Sequence, residues 1–171
     1  MAHRTIMIFP DFEQMEIIES IREKYDPLYQ LVKPHITVVF PFDMDVSNEE
    51  LSKILERRLA HVRPFAIKLE GFRTGVDSFG NYLFLEVTKG KDEIVQIHDV
   101  LYGNEFAPLD LGLPYEPHLT VGKLDTVEEL EQAFHEVKET NICFTSMVTK
   151  ISVEMIGEQD ESIIILEKQF D

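Results

Sequence analysis

The pentapeptide Pro-His-Ile-Thr-Val at residues 34–38 returns as Pro-His-Leu-Thr-Val at residues 117–121, with the two histidines 83 positions apart. This repeat restricts the fold more than any other feature of the chain. Both copies carry aliphatic and β-branched residues in the pattern of a strand. Each is followed by a helix-start signal at capping-box spacing, Ser47 with Glu50 after the first and Thr126 with Glu129 after the second. A strand–helix unit in each half predicts two similar lobes facing one another. Residues i and i+2 of a strand share a face. His35 and Thr37 therefore point one way and Ile36 and Val38 the other, and His118 and Thr120 are set against Leu119 and Val121 in the same manner. Each imidazole and its companion hydroxyl lie roughly 7 Å apart along the strand. With the lobes face to face, the four polar side chains converge on one cleft. The apolar residues behind them anchor each strand against its own helix.

The remaining patterning fills in an α+β architecture. Strands are expected over residues 3–9, 34–40 (closed by Pro41), 65–72, 82–88 and 118–123. Residues 142–156 read as one long strand, with 162–170 as its hairpin partner across the turn at 157–160. Helices are expected over 12–24, capped by Asp11 with Gln14, from Ser47 to about residue 61, over 92–102, and from Thr126 to about residue 140. Runs of strands not regularly separated by helices argue for mostly antiparallel pairing. At 171 residues, 1–171 fits a single domain built of two similar lobes, with the motifs at 35–38 and 118–121. The chain has no glycine-rich phosphate loop.

Charge narrows the partners. With 32 acidic against 16 basic residues, the formal net charge is −16. Affinity for extended nucleic acid rests largely on Lys and Arg replacing counterions, so long DNA or RNA is disfavoured while a small anionic ligand in a locally polar site is not. A single cysteine, Cys143, excludes an intramolecular disulfide and any multi-cysteine zinc site. No apolar stretch reaches the ~18–20 residues that span a membrane. The first residues are apolar only over 6–10, too short for a signal-peptide core, and the expected location is the cytoplasm. His61, His98 and His135 fall on predicted helices and read as solvated surface. No His or Cys spacing forms a metal-ligand set, and no cofactor is expected.

Two imidazoles and two hydroxyls in one cleft suit phosphodiester cleavage. Attack at phosphorus needs a base to take a proton from water or a hydroxyl, and departure of an alkoxide needs an acid to supply one. Histidine, with an ordinary pKa near ~6.5, performs either task near neutral pH. Thr37 and Thr120 are placed to donate to the non-bridging oxygens. His35 and His118 are thus the candidate catalytic pair, Thr37 and Thr120 the candidate phosphate-binding pair, and the scheme calls for no metal.

Two His-hydrophobic-Thr-hydrophobic motifs, His35-Ile36-Thr37-Val38 and His118-Leu119-Thr120-Val121, each preceded by Pro, resemble the two-histidine (2H) phosphoesterase superfamily of RNA 2′,5′-ligase-like proteins and cyclic phosphodiesterases. Length, motif spacing and the PHLTVG sequence look most similar to its small bacterial, YjcG-like branch. The resemblance implies a bilobal, pseudo-two-fold fold: two mostly antiparallel sheets, helices on their outer faces, and a central cleft lined by both motifs. It implies chemistry on a cyclic (2′,3′- or related) or 2′,5′-type phosphodiester of a small nucleotide-like substrate or RNA terminus, with the direction, hydrolysis or ligation, left open. Which histidine is the base depends on substrate orientation and stays open. Tyr115, Lys123, Phe40 and Phe42 flank the motifs, and Lys33 and Arg73 are further basic candidates near them. The alternative from a different class is a non-catalytic module that binds a nucleotide or phosphate in the same cleft.

Overall fold

The structure, a computed structural model, describes residues 3–171. It contains the strands β1 (Arg4–Ile8), β2 (Ile36–Phe42), β3 (Phe65–Val76), β4 (Asn81–Lys89), β5 (His118–Leu124), β6 (Phe144–Val148), β7 (Lys150–Ile156) and β8 (Ser162–Gln169). The helices are α1 (Met15–Tyr25), α2 (Asn48–Arg58), α3 (Lys91–Tyr102) and α4 (Val127–Val137), with a short 3-10 turn at Ala107–Leu109. The class is α+β. No helix among the described residues is long and apolar enough to cross a membrane.

The strands lie in the order β6-β3-β4-β5-β2-β1-β7-β8, and every neighbouring pair is antiparallel. Outward from the centre the order is β5, β4, β3, β6 on one side and β2, β1, β7, β8 on the other. This is the pseudo-two-fold arrangement that the repeat predicts, with one difference. The two expected sheets are a single sheet, joined between β2 and β5 with Ile36 opposite Leu119 as the one paired position among the described residues.

The helices pack on the sheet in a crossed fashion. α1, which precedes the first motif, lies on β5, and α3, which precedes the second, lies on β2. Each motif strand is thus braced by a helix from the opposite repeat; β5 also meets its own helix α4, as expected, whereas β2 is braced by α3 in place of α2. Ile36, Val38, Leu119 and Val121 are fully buried in one apolar cluster with Ile18, Leu55, Ile97 and Leu130 of the four helices. At Gly122 a Cβ would stand 2.9 Å from the Cβ of Tyr25. The bare backbone there lets the end of α1 lie against β5.

Local signals account for most of the elements. Ser47 accepts the Glu50 N–H and Thr126 accepts the Glu129 N–H, each at 3.1 Å, as the capping-box spacing predicts. The Asp11–Gln14 spacing does not cap α1. Phe12 is buried against Phe144, with ring centroids 5.7 Å apart. That inward anchor holds residues 12–14 in a turn, closed by the Met15 N–H to the Phe12 carbonyl at 3.3 Å, and the helix starts later. Pro41 does not close β2. It lies inside a bulge where pairing jumps from Ile6↔Val39 to Arg4↔Phe42, a position that tolerates a missing N–H. Residues 142–156 are two strands rather than one. β6 pairs with β3 and β7 pairs with β1, so the chain passes at Thr149 from one half of the sheet to the other. The β7–β8 hairpin forms as expected.

Candidate active site

The seam between β2 and β5 brings the two motifs together. Ile36 and Leu119 face each other on the helix-covered side, so the alternation of the strands turns the residues on either side of them to the opposite face. Antiparallel counting from this pair sets Thr37 beside His118 and His35 beside Thr120. The two histidines are then diagonal neighbours, a relation that spans about 7–8 Å between antiparallel strands. The burial patterns of 34–38 and 117–121 are identical: buried Pro, half-buried His, buried Ile or Leu, half-buried Thr, buried Val.

The histidines are held alike. His35 Nδ1 lies 2.8 Å from the carbonyl oxygen of Lys33, and His118 Nδ1 lies 2.8 Å from that of Glu116. A carbonyl only accepts, so Nδ1–H must be the donor in both rings, and Nε2 is left as the nitrogen that carries or takes the second proton. Both acceptors are two residues back, across a proline. Proline holds φ near −65° and keeps the residue before it extended, and this turn at the strand entrance presents the carbonyl to the ring.

Burial holds the pKa of both imidazoles below the ordinary histidine value, against the opposing pull of the backbone hydrogen bond. Charged neighbours act on each ring in both directions. The Glu154 carboxylate favours the charged form of His35, with Arg22 opposing it and Asp26 adding to it, both more weakly. The Arg73 guanidinium and His35 itself disfavour the charged form of His118.

The surroundings of the two rings differ. His35 has the Phe9 ring at 6.0 Å, whereas His118 lies against Phe84 at 3.9 Å. Phe84 is stacked in turn on Tyr82, with centroids 5.6 Å apart and planes within 9°. Arg73 stands over Phe84 at 5.0 Å from the ring centre and is paired with Glu86 at 2.6 Å and Glu116 at 3.7 Å. Lys91 meets Glu116 at 3.2 Å and, with Arg73, holds its carboxyl below the usual range. A cavity of about 930 Å³ beside the first half is lined by Phe9, Lys33, Pro34, Lys150, Ser152 and Glu167 among others, but by neither motif histidine.

Of the flanking candidates, Arg73 brings its charge to bear on His118. Tyr115 is structural. Its hydroxyl donates to the Thr37 carbonyl at 2.7 Å, and burial pushes its pKa well up. The Tyr102 hydroxyl accepts the Phe40 N–H at 3.2 Å. Together these tyrosines occupy the β2 edge that β5 leaves. Phe42 packs in the core against Phe106, Phe40 is half exposed, Lys33 contributes its carbonyl, and Lys123 lies over the Tyr82 ring at 5.6 Å. His98 is not solvated surface. It is stacked on Tyr115 at 3.9 Å and lies tilted against Tyr102 at 4.5 Å, while His61 and His135 are exposed. Among the described residues no three His, Cys, Asp or Glu side chains group as a metal would require. Sequence reading did not single out Tyr82, Phe84 and Glu86, although strand register counted outward from His118 finds all three: Glu86 opposite His118, Phe84 opposite Thr120, and Tyr82 two residues on.

Known proteins share both the sequence and this architecture. A Geobacillus kaustophilus protein named "Putative phosphoesterase GK0864" is 29% identical over 149 residues, covering 85% of this chain and 83% of the relative. A Staphylococcus aureus (strain Newman) protein named "Putative phosphoesterase" is 21% identical over 165 residues, 95% of each. Among solved structures, TT0787 of Thermus thermophilus matches with TM-score 0.65 at 13% identity, over 98% of this chain and 97% of its own. E. coli LigT complexed with NADP+ matches with TM-score 0.61 at 16% identity, over 99% and 98%. At such identities these two structures speak to the fold. The family model of the 2′-5′ RNA ligase superfamily matches residues 9–157, and the chain belongs to that superfamily, the two-histidine phosphoesterases that its repeated motif resembles.

Proposed function

We propose that this protein cleaves a cyclic or 2′,5′-type phosphodiester of a small nucleotide-like substrate, with His35 and His118 as the acid–base pair and Thr37 and Thr120 binding the phosphate. The observation that carries this reading is the equivalence of the two imidazoles: same strand position, same Nδ1–H to carbonyl bond at 2.8 Å, both flanking one cross-strand pair. Equivalent nitrogens on either side of a phosphoryl group suit an in-line displacement. As the attacking oxygen bonds to phosphorus, one Nε2 takes its proton. As the opposite P–O bond breaks, the other Nε2 gives a proton to the departing oxygen. The two threonine hydroxyls donate to the non-bridging oxygens, whose charge rises in the transition state.

The reaction needs one neutral and one protonated ring. Burial keeps both neutral in the free protein at neutral pH, and a bound phosphodiester anion supplies the negative charge that favours protonation of one. Structures of E. coli LigT with NADP+, 3′-AMP and ATP support a nucleotide-like ligand for a fold of this kind.

The test is hydrolysis of 2′,3′-cyclic nucleotides and 2′,5′-linked dinucleotides in EDTA. Turnover is expected to fall by about 10²–10⁴-fold in His35→Ala and in His118→Ala, with the melting transition retained. Most of the activity surviving in either folded variant overturns the reading.

A further inference from the structure

The two halves share one sheet, but little backbone joins them. Between β2 and β5 the ladder has Ile36 opposite Leu119 as its one pair among the described residues. A continuous ladder fixes the spacing of its strands along their length. A single pair leaves the spacing of Thr37 and His118 to other contacts. Tyr115 supplies one. It stands three residues before His118, and its hydroxyl donates to the Thr37 carbonyl of the other half at 2.7 Å. The next residue, Glu116, gives the carbonyl that His118 Nδ1 meets at 2.8 Å, and Pro117 stiffens the link. Segment 115–118 therefore holds the backbone of Thr37 at one end and the imidazole of His118 at the other. The equivalent position in the first half is Val32. Its side chain has no hydrogen-bonding group, and its carbonyl accepts Arg22 Nη2, of its own repeat, at 2.6 Å. The crossing is made from one side only.

We propose that Tyr115 is a positioning residue for the phosphodiester reaction: seated on His98 and acting through the Thr37 carbonyl, it sets the distance between the Thr37 hydroxyl and the His118 imidazole, and so the width of the site that one phosphoryl group fills. This rests on the phosphodiester reading and deepens it by naming what aligns its parts. The Tyr115 ring lies face to face on His98, with centroids 3.9 Å apart and planes within 4°. His98 is tilted against Tyr102 at 4.5 Å, and these two residues stand one turn apart on the same side of α3. The Tyr102 hydroxyl accepts the Phe40 N–H at 3.2 Å. Three rings, carried by α3 and by the approach to β5, thus grip β2 at two backbone points, Thr37 and Phe40. Burial keeps the Tyr115 hydroxyl protonated, and so a donor, wherever the histidines titrate. In-line displacement tolerates little error in placement, and a shift of about 1 Å costs on the order of 10²-fold in rate.

Two measurements test this. The full-length protein is titrated with inorganic phosphate while the ring signals of His35 and His118 are followed by NMR, and kcat and KM are measured for 2′,3′-cyclic nucleotide hydrolysis. In the wild type both rings are expected to report one dissociation constant, because one ion meets both. Tyr115→Phe keeps the stacked ring and removes the hydroxyl. It is expected to weaken phosphate by about tenfold and to lower kcat by about 10²-fold. His98→Leu takes the ring from beside Tyr115, although His98 Nδ1 meets Asp99 and not a motif residue, and is expected to weaken phosphate in the same direction. Ser47→Ala, which removes a hydrogen bond at the start of α2, should lose stability and change neither constant. A hydroxyl that served only the fold would behave likewise: Tyr115→Phe would melt earlier and keep its phosphate affinity and kcat while folded. That result, or separate constants for the two rings in the wild type, overturns the proposal. Unchanged phosphate affinity in folded His98→Leu overturns the share given to His98. If Tyr115→Phe weakens phosphate while the wild type hydrolyses nothing on the panel, the positioning role stands and the catalytic reading falls.

Discussion

The half of the sheet built from β2, β1, β7 and β8 and the half built from β5, β4, β3 and β6 repeat one plan and part at its margins. The centre is held in common: Pro, His, Thr, the Nδ1–H to carbonyl bond and the buried aliphatic residues behind them match between β2 and β5. One strand outward the likeness ends. Phe84, Tyr82 and Arg73 stand where Met7, Thr5 and Ser152 stand in the other half. The halves are alike at the centre, where the proposed reaction calls for two equivalent groups, and differ in the strands beside it.

Matched pairs of substitutions sharpen or break this comparison. The largest effect is expected at the histidines. If the centre is functionally symmetric, the losses of about 10²–10⁴-fold in His35→Ala and His118→Ala should be of similar size in steady-state kcat/KM. A full loss in one variant and a trivial one in the other breaks the symmetry.

Next come the residues of the seam. Ile36→Ala and Leu119→Ala each empty a fully buried site, and each should destabilise the protein by about 2–5 kcal/mol in denaturant unfolding. A markedly smaller change in one marks the half that relaxes.

A pH effect follows from the buried rings. Because both folded-state pKa values lie below the ordinary one, the unfolded chain takes up protons first as pH falls. This contribution to stability is fully present above about pH 6.5 and is lost as pH falls through the folded values. NMR titration of the two imidazoles should place both below ~6.5, and saturating phosphate should raise at least one. The smallest paired effect is expected at the helix caps, where Ser47→Ala and Thr126→Ala should each destabilise by about 0.5–2 kcal/mol.

These caps also mark what a sequence exposes directly. Ser47 and Thr126 act on an N–H three residues away, so a local pattern specifies them. The same holds for His35, Thr37, His118 and Thr120, whose shared face follows from strand alternation once the repeat is noticed. Asp11 carries the same local pattern as Ser47 and fails, because the burial of Phe12 against Phe144, a contact distant in sequence, decides where α1 begins. The break at Thr149 has no local signature either. It exists because β3 and β1 recruit the two segments on either side of it. Tyr82 and Phe84 look like ordinary strand aromatics until the β4–β5 register sets them beside His118. His98 reads as surface until Tyr115, brought in by the approach to β5, covers it.

The strand order also bears on how the site comes into being during synthesis. The half that carries the first motif takes β7 and β8 from the end of the chain, and α3, which braces β2, is made long after it. His35 leaves the ribosome early yet has no complete surroundings until the last residues have emerged. β5, β4, β3 and β6, by contrast, all come from the stretch between residues 65 and 148. The second half can therefore assemble first and offer the edge of β5 as the template on which the earlier-made strand docks.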